Sequence, residues 1–153
     1  AAEQFVGVQQ LGASRSSSIT LTSAPGEVEV TSEFLESFEA LLKLENIELQ
    51  FFEGDWSSMV VPPQAKYDLV LTSETIYSLP SLPALLSLLR SAVSPTTTTL
   101  VACKRIYFGV GGGELEFRRR VEERGGKIET VWGELEGQGT KGVGRVVMLV
   151  EWT

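Results

Sequence analysis

The chain has 153 residues, of which 13 are basic and 20 acidic, and its formal net charge is −7. It contains no histidine and a single cysteine. These counts exclude Ser–His–Asp and Cys–His catalysis, a zinc site of the usual ligand types and an internal disulfide. Any catalysis must therefore use carboxylates, Tyr, Lys or hydroxyls, or a cofactor that brings its own reactivity, and we expect no metal site.

The length suits one domain, so residues 1–153 are predicted to form a single domain that is poorly defined over residues 1–25. The acidic balance disfavours direct binding of nucleic acid, because phosphates are bound by clustered Lys and Arg. The one dense basic run, Arg118–Arg120, is flanked by glutamates and is interpreted as a solvated helix face, with Glu116 pairing with Arg120. No apolar stretch approaches the ~20 residues of a membrane span, and the N-terminus lacks a signal-peptide pattern.

The first elements in chain order carry weak patterns. Residues 4–11 suggest a short strand, residues 12–18 a Ser-rich loop and residues 19–22 a second β-prone segment. A clear helix then begins after Thr31, a good N-cap, and Asn46 is a plausible end for it. Its apolar residues recur at helical spacing: Phe34, Leu35, Phe38, Leu41 and Leu42.

The remaining pattern alternates strands and helices. Strands are predicted at 47–52, 67–72, 97–103, 128–132 and 143–152, and helices at 81–93 and 114–124. This order predicts a three-layer α/β sandwich with a mostly parallel sheet. The last two strands have no helix between them, so they must be antiparallel neighbours. Such an ending is typical of class I, S-adenosylmethionine-dependent methyltransferases.

Ligands of open α/β sheets bind outside the carboxyl ends of the strands. Asp55 and Trp56 follow the first clear strand and are candidates for an adenosine pocket, in which the indole stacks on the purine and the carboxylate accepts from its amine. The alternative is that residues 54–55 form a turn and Trp56 caps the core.

Glu74 and Tyr77 follow the next strand, three residues apart. A carboxylate and a phenol at this place can orient an amine or an imidazole and accept its hydrogen bond. The alternative, equally open from spacing alone, is that Glu74 caps the helix that begins near Ser81 or is simply solvated.

The glycine run at residues 109–113 does not fit a dinucleotide loop. Glu114 stands where the last glycine should be, and five residues separate the first glycine from the strand. A flexible gate over a cleft and a plain connector are both compatible with the run. Cys103, at the end of an apolar strand, is interpreted as a small buried residue.

Residues 67–77 (Tyr-Asp-Leu-Val-Leu-Thr-Ser-Glu-Thr-Ile-Tyr) closely resemble the strand-four motif of family 16 class I methyltransferases. Within that family they look most like the histidine protein methyltransferases that modify a large-subunit ribosomal protein. Residues 51–56, and residues 102–104 with 107–113, are similar to the strand-three ending and the strand-five loop. Residues 26–31 with the following helix are similar to fungal members, and the resemblance covers residues 26–153.

The resemblance implies a role for each matching residue. Asp55 and Trp56 would contact the adenine end of S-adenosylmethionine, and Thr72 and Ser73 would line the cofactor cleft. Glu74 and Tyr77 would lie where cofactor and substrate meet, as the catalytic pair. The substrate loop would include Tyr107, Phe108, Gly109 and Gly111.

The family's glycine-rich loop after strand one, and the acidic residue that ends strand two, should precede these segments. Residues 8–14 echo the first only faintly, with Gln10 in place of the acid and Ser14 in place of a glycine. The chain is therefore interpreted as the C-terminal portion of such an enzyme, or as a truncated or divergent copy in which cofactor binding is weak or absent.

Three functions are compatible with the resemblance. The first is a protein-histidine N-methyltransferase with a ribosomal protein as substrate, in the cytoplasm, the nucleus or both. Its substrate supplies the histidine that this chain lacks. The second is a catalytically dead domain that binds protein. The third is a protein-lysine methyltransferase of the same family.

Overall fold

The computed structural model describes residues 27–62, 67–133 and 143–152, together with the backbone of a strand at residues 4–10. The chain divides into two compact units, residues 1–53 and residues 54–153. The single domain expected from the length stays a prediction. The predicted features at residues 12–18 and 19–22 lie outside the described residues.

The first unit contains a two-stranded antiparallel sheet and one helix. Strand β1 (Gln4–Gln10) pairs with β2 (Ile47–Glu53) over its whole length, and helix α1 spans Ser32–Leu44. The Thr31 side chain accepts a hydrogen bond from the backbone N–H of Phe34 at 3.2 Å, as expected of an N-cap. Asn46 follows the helix at φ +54°, a left-handed conformation that stops it.

The second unit is built on a four-stranded sheet. Its strands are β3 (Leu69–Ser73), β4 (Thr98–Lys104), β5 (Gly126–Gly133) and β6 (Arg145–Trp152), in the spatial order β3-β4-β6-β5. β3 and β4 are parallel, whereas β6 is antiparallel to both of its neighbours. The α/β class and the antiparallel final pair are confirmed. The described sheet is mixed rather than mostly parallel, because β6 lies between β4 and β5 and so makes two of the three pairings.

Two helices cover one face of this sheet. Helix α2 (Leu82–Ala92) has Pro83 in its first turn, where proline is tolerated, and helix α3 spans Glu114–Glu122. Alternate residues of β4 and β6 are buried in one cluster with leucines of α2 and with Phe117 and Val121 of α3. The helices supply one of the two helical layers expected of a sandwich. The parallel pairing of β3 with β4 places the carboxyl ends of these two strands side by side.

The arginines of α3 form ion pairs with glutamates of the same segment. Arg120 and Glu116 form the expected pair, with 2.7 Å between Nε and Oε1. Arg118 instead turns inward, and its Nε donates to the buried Glu114 at 3.0 Å, so the prediction of a wholly solvated arginine run is wrong at this residue. Among the residues that the structure describes, no helix has the length and apolar character needed to cross a membrane.

Candidate functional site

Glu74 lies directly after β3 in a backbone conformation that is rare for a residue with a side chain. Its φ is +57°, and its backbone N–H donates to the carbonyl of Ala102 on β4 at 3.0 Å. Non-glycine residues in this region cost free energy and are concentrated at functional sites. The conformation therefore supports Glu74 as a site residue.

The Glu74 carboxylate is held by two residues from a different part of the chain. The Tyr107 hydroxyl donates to Glu74 Oε2 at 3.0 Å, and Lys104 Nζ lies 3.9 Å from the same oxygen. Tyr107 Oη in turn accepts a hydrogen bond from the backbone N–H of Lys104 at 3.1 Å. The N-cap position of α2 belongs to Ser81 rather than to Glu74, so the capping alternative does not apply.

The two tyrosines of the site stand close together. The ring centroids of Tyr77 and Tyr107 are 6.0 Å apart with an angle of 52° between the planes, and Lys104 Nζ lies 5.8 Å from the centre of the Tyr107 ring. Burial, with a smaller contribution from Glu74, raises the pKa of Tyr107 to about 12, although the bond from the Lys104 backbone opposes this. Tyr107 therefore keeps its proton at physiological pH and acts as a donor to Glu74.

Two open cavities border this cluster. The larger has a volume of about 750 Å³ and is lined by Glu74, Tyr77, Lys104, Ile106, Tyr107, Phe108, Val110, Val143 and Arg145. The smaller, of about 360 Å³, is lined by Ser73, Glu74, Ala102, Cys103, Lys104, Trp132, Arg145, Val146 and Val147. Glu74, Lys104 and Arg145 border both cavities, so the two cavities are adjacent.

The glycine-rich loop is fixed at both ends. Isolated β-bridges join Ser78 to Gly111 and Ile106 to Gly113. A Cβ added at Gly112 would lie 2.2 Å from the carbonyl oxygen of Tyr77, so only glycine fits this approach. Ile106 and residues 108–111 are exposed, and Phe108 is the most exposed side chain of the loop at 79%. Between these fixed points, Ile106, Phe108 and Val110 line the larger cavity.

A partly buried ion pair joins the two residues that flank the same loop. Arg105 Nη1 donates to Glu114 Oε2 at 2.9 Å, and the backbone N–H of Glu114 donates to the Arg105 carbonyl at 3.2 Å. Because these residues flank the loop, the pair holds its two ends together. Nearby Cys103 has its pKa raised to about 12, chiefly by burial and then by the charge of Glu114, so it is a neutral buried residue as expected.

Asp55 and Trp56 form a separate local arrangement. Asp55 Oδ1 accepts from the backbone N–H of Ser57 at 2.8 Å and from its hydroxyl at 2.6 Å, which lowers the Asp55 pKa and caps a 3₁₀ turn at Trp56–Ser58. Trp56 is half-buried against the core. The turn and the core contact proposed as alternatives are therefore both present, and an adenine contact stays a prediction.

The structure brings five of the ten predicted site residues to the two cavities at the carboxyl edge of the sheet. Glu74, Tyr77, Tyr107 and Phe108 line the larger cavity, and Ser73 lines the smaller one. The remaining predicted residues, Asp55, Trp56, Thr72, Gly109 and Gly111, line neither of these two. Thr72 and Thr75 instead share a hydrogen bond of 2.6 Å between their hydroxyls.

The residues that sequence reasoning missed are Lys104, Arg145 and Trp132. Lys104 is the last residue of β4 and pairs in register with Arg145, the first residue of β6. β6 runs antiparallel to β4, so β6 begins beside the residue at which β4 ends. The start of β6 therefore lies at the carboxyl edge of the sheet. The sequence did contain a signal for Arg145, because a final strand predicted to run antiparallel must begin at this edge.

Comparison with known proteins identifies the class. The profile of family 16 methyltransferases, described as lysine methyltransferase, matches residues 5–122. The chain therefore belongs to this methyltransferase family, which confirms the resemblance seen in its motifs.

Individual relatives have a more specific name. The chain is 41% identical over 104 residues to histidine protein methyltransferase 1 of Schizosaccharomyces pombe, covering 64% of this chain and 30% of that protein. The corresponding protein of Saccharomyces cerevisiae is 32% identical over 107 residues, covering 64% and 28%. A rat homologue is 40% identical over 86 residues, covering 53% and 24%. The chain thus spans less than a third of the length of these relatives.

Proposed function

We propose that the protein is an S-adenosylmethionine-dependent protein-histidine N-methyltransferase and that the larger cavity receives the substrate imidazole. The observation that carries the proposal is Glu74, which has a strained backbone at the carboxyl end of β3 and a carboxylate held by Tyr107. Support comes from relatives that are named histidine protein methyltransferases.

The geometry suits an imidazole nucleophile. An imidazole with a pKa near ~6.5 is largely neutral at physiological pH, so it needs the correct tautomer more than it needs a strong base. A carboxylate bonded to one ring N–H fixes that tautomer and leaves the other nitrogen free to attack. Glu74 is the candidate for this role, because the Tyr107 hydroxyl fixes its position. Tyr77 would shape the wall of the pocket.

Asp55, Trp56, Thr72 and Ser73 are the residues that would hold S-adenosylmethionine. Asp55 is exposed and ionised, and both of its bonds to Ser57 use Oδ1, so Oδ2 can accept from an adenine amine. Ser73 opens into the smaller cavity, which shares Glu74 with the larger one. Trp56 and Thr72 would complete the adenosine side. The cofactor supplies the electrophilic methyl group, and the protein then needs mainly to align and desolvate the two reactants.

The finer identity of the substrate follows from the motif resemblance. The substrate would be a ribosomal protein of the large subunit, modified in the cytoplasm or the nucleus. Neither direct binding of nucleic acid nor attachment to a membrane is part of this proposal.

A lysine substrate is the second candidate, because the matching family carries that description. A non-catalytic protein-binding domain is the third, since the glycine-rich cofactor loop is recognisable only as a faint echo at residues 8–14. Its last four residues lie outside those that the structure describes.

One experiment separates the three candidates. The protein, expressed from its complete coding sequence, is incubated with methyl-labelled S-adenosylmethionine and a cell extract, and labelled residues are identified by mass spectrometry. Label on histidine supports the proposal. Label on lysine supports the second candidate. If no protein is labelled and S-adenosylhomocysteine gives no binding heat, the third candidate stands.

A further inference from the structure

Lys104 lies beside Glu74, and the proposed function does not yet give this lysine a role. A carboxylate alone in a cavity attracts cations, so Glu74 by itself would favour the ammonium of lysine. It would also raise the pKa of a bound imidazole and keep that ring protonated, which would remove the lone pair needed for attack. Lys104 Nζ lies 3.9 Å from Glu74 Oε2, and both side chains line the larger cavity.

We propose that Lys104 is a specificity-determining residue, whose ammonium offsets the charge of Glu74 so that the cavity accepts a neutral imidazole and rejects the ammonium of lysine. This inference rests on the proposed function and deepens it. It assigns to one residue the choice between histidine and lysine, the two substrates that the family description and the names of the relatives leave open.

The distances place Lys104 within electrostatic reach of the reacting ring. An imidazole N–H bonded to Glu74 Oε2 at about 2.9 Å would lie within about 7 Å of Lys104 Nζ. That is inside the Debye length of about 8 Å at physiological ionic strength, so salt does not cancel the interaction. Lys104 and Glu74 are 40% and 41% exposed, so the interaction is moderate in size.

The orientation of Lys104 is set by more than one contact. Its backbone is tied to the Tyr107 hydroxyl at 3.1 Å, and its ammonium lies 5.8 Å from the centre of the Tyr107 ring. The aromatic face and the Glu74 carboxylate both attract the ammonium towards the cavity. The charge therefore stays close to the position at which the substrate ring would bind.

The other titratable groups of the larger cavity do not reverse the electrostatic effect of Lys104 on the bound imidazole. Among the described residues they are Glu74 and Tyr77 after β3, Tyr107 after β4 and Arg145 at the start of β6. Arg145 carries the same charge as Lys104, and Tyr107 keeps its proton because its pKa is raised to about 12. Glu74 is the opposing charge, and Lys104 lies against it.

The test compares Lys104→Met, which keeps an apolar stem and removes the charge, with the wild-type protein. Lys104→Arg serves as the rescue, and Lys127→Met on the exposed part of β5 serves as the matched control. The kcat for a histidine peptide is measured against pH at saturating substrate. The same peptide with lysine in place of the target histidine is then used as an inhibitor.

The acid limb of kcat reports the imidazole in the bound complex. Loss of Lys104 should move this limb to higher pH by roughly one unit, and the lysine peptide should inhibit roughly tenfold more strongly. The Lys104→Arg and Lys127→Met variants should behave like the wild type in both measurements. Lys104→Gln is assayed in the same way in case Lys104→Met does not fold.

Two results would overturn the inference. If the charge-removing variants keep both the wild-type acid limb and the wild-type inhibition by the lysine peptide, Lys104 does not set specificity, although the proposed function survives. If the wild-type protein itself forms no methylhistidine, the proposed function fails and this inference fails with it.

Discussion

Glu74 and Asp55 are two carboxylates predicted for the same site, and the structure holds them in opposite ways. Asp55 is satisfied locally by Ser57, two residues away, and is exposed. Glu74 has a left-handed backbone and is held by Tyr107, 33 residues away, and by Lys104 on another strand. The contrast indicates that Asp55 is placed by its own turn, whereas Glu74 depends on the packing of the whole carboxyl edge.

The same contrast predicts that substitutions at Asp55 and substitutions around Glu74 reduce activity to different extents. Changing Asp55 should disturb one turn and whatever ligand reaches it. Changing the supports of Glu74 should disturb several elements together, because the glycine-rich loop, β4 and the segment after β3 meet there. The following predictions test this difference, from the largest expected effect to the smallest.

Gly112→Ala should disturb the surroundings of Glu74 more severely than any other substitution proposed below. Its new Cβ would meet the backbone of Ile76 and Tyr77 at 2.2–2.5 Å, so the loop must separate from the site. We expect a loss of roughly 3 kcal/mol in the free energy of unfolding, at the upper end for overpacking, and loss of methyl transfer. Urea unfolding and the transfer assay measure both.

Gly109→Ala is the matched control in the same loop. Its φ is +81°, but no atom lies within 4 Å of the added Cβ, so only the backbone conformation is penalised, by about 1 kcal/mol. If the two variants were equally stable, the close approach of the loop to Tyr77 would be contradicted.

Glu114→Gln should weaken the base of the loop. The buried carboxylate is paired with Arg105 at 2.9 Å and with Arg118 at 3.0 Å, and the substitution removes its charge from both pairs. We expect a loss of roughly 2 kcal/mol in unfolding free energy. Glu122→Gln, at an exposed position of α3, provides the control and should cost much less. Equal stability of the two variants would argue against the structural role of Glu114.

Tyr107→Phe should loosen Glu74 without removing it. Loss of the hydroxyl removes the bond to Glu74 and the acceptor for the Lys104 backbone N–H, at a cost of about 1 kcal/mol in stability and roughly tenfold in methyl transfer.

The pH dependence of stability provides a second readout for Tyr107. Because the folded state raises the Tyr107 pKa from 10.0 to about 12, this contribution is complete below about pH 10 and is lost as the pH rises through 12. Urea unfolding at pH 9 and at about pH 11 should show that Tyr107→Phe loses less stability than the wild type over this interval. Equal losses in the two proteins would contradict the assignment.

Asp55→Asn should have the smallest effect. An amide oxygen can still accept from Ser57, so the turn and the fold should persist. If Asp55 contacts the adenine amine, the affinity for S-adenosylhomocysteine should fall roughly threefold, because one exposed, charge-assisted hydrogen bond is weakened. Calorimetric titration measures the change, and unchanged affinity would restrict Asp55 to capping its turn.

Much of the fold followed from local pattern. The capping by Thr31, the stop at Asn46 and the apolar periodicity of α2 each depend on neighbours within a few residues, which sequence reveals directly. The mixed pairing of the sheet did not follow as easily, because it depends on where β6 enters the strand order.

The candidate site could likewise be predicted only in part. Glu74 and Tyr77 could be named as candidates because strand ends predict where ligands bind. Lys104 and Arg145 were missed because their approach depends on the register between β4 and β6. The bond from Tyr107 to Glu74 was missed because it depends on the path of the loop in space. Local rules cannot provide contacts that are fixed by register or by loop path.

The most direct test of the central claim is the amount of methylhistidine formed by wild-type protein and by Glu74→Gln, quantified by mass spectrometry of one substrate. Glu122→Gln, an exposed glutamate on α3, is the matched control. We predict methylhistidine from the wild type and from the control, and roughly a hundredfold less from Glu74→Gln. Wild-type amounts of methylhistidine from Glu74→Gln, or label on lysine instead of histidine, would contradict the account.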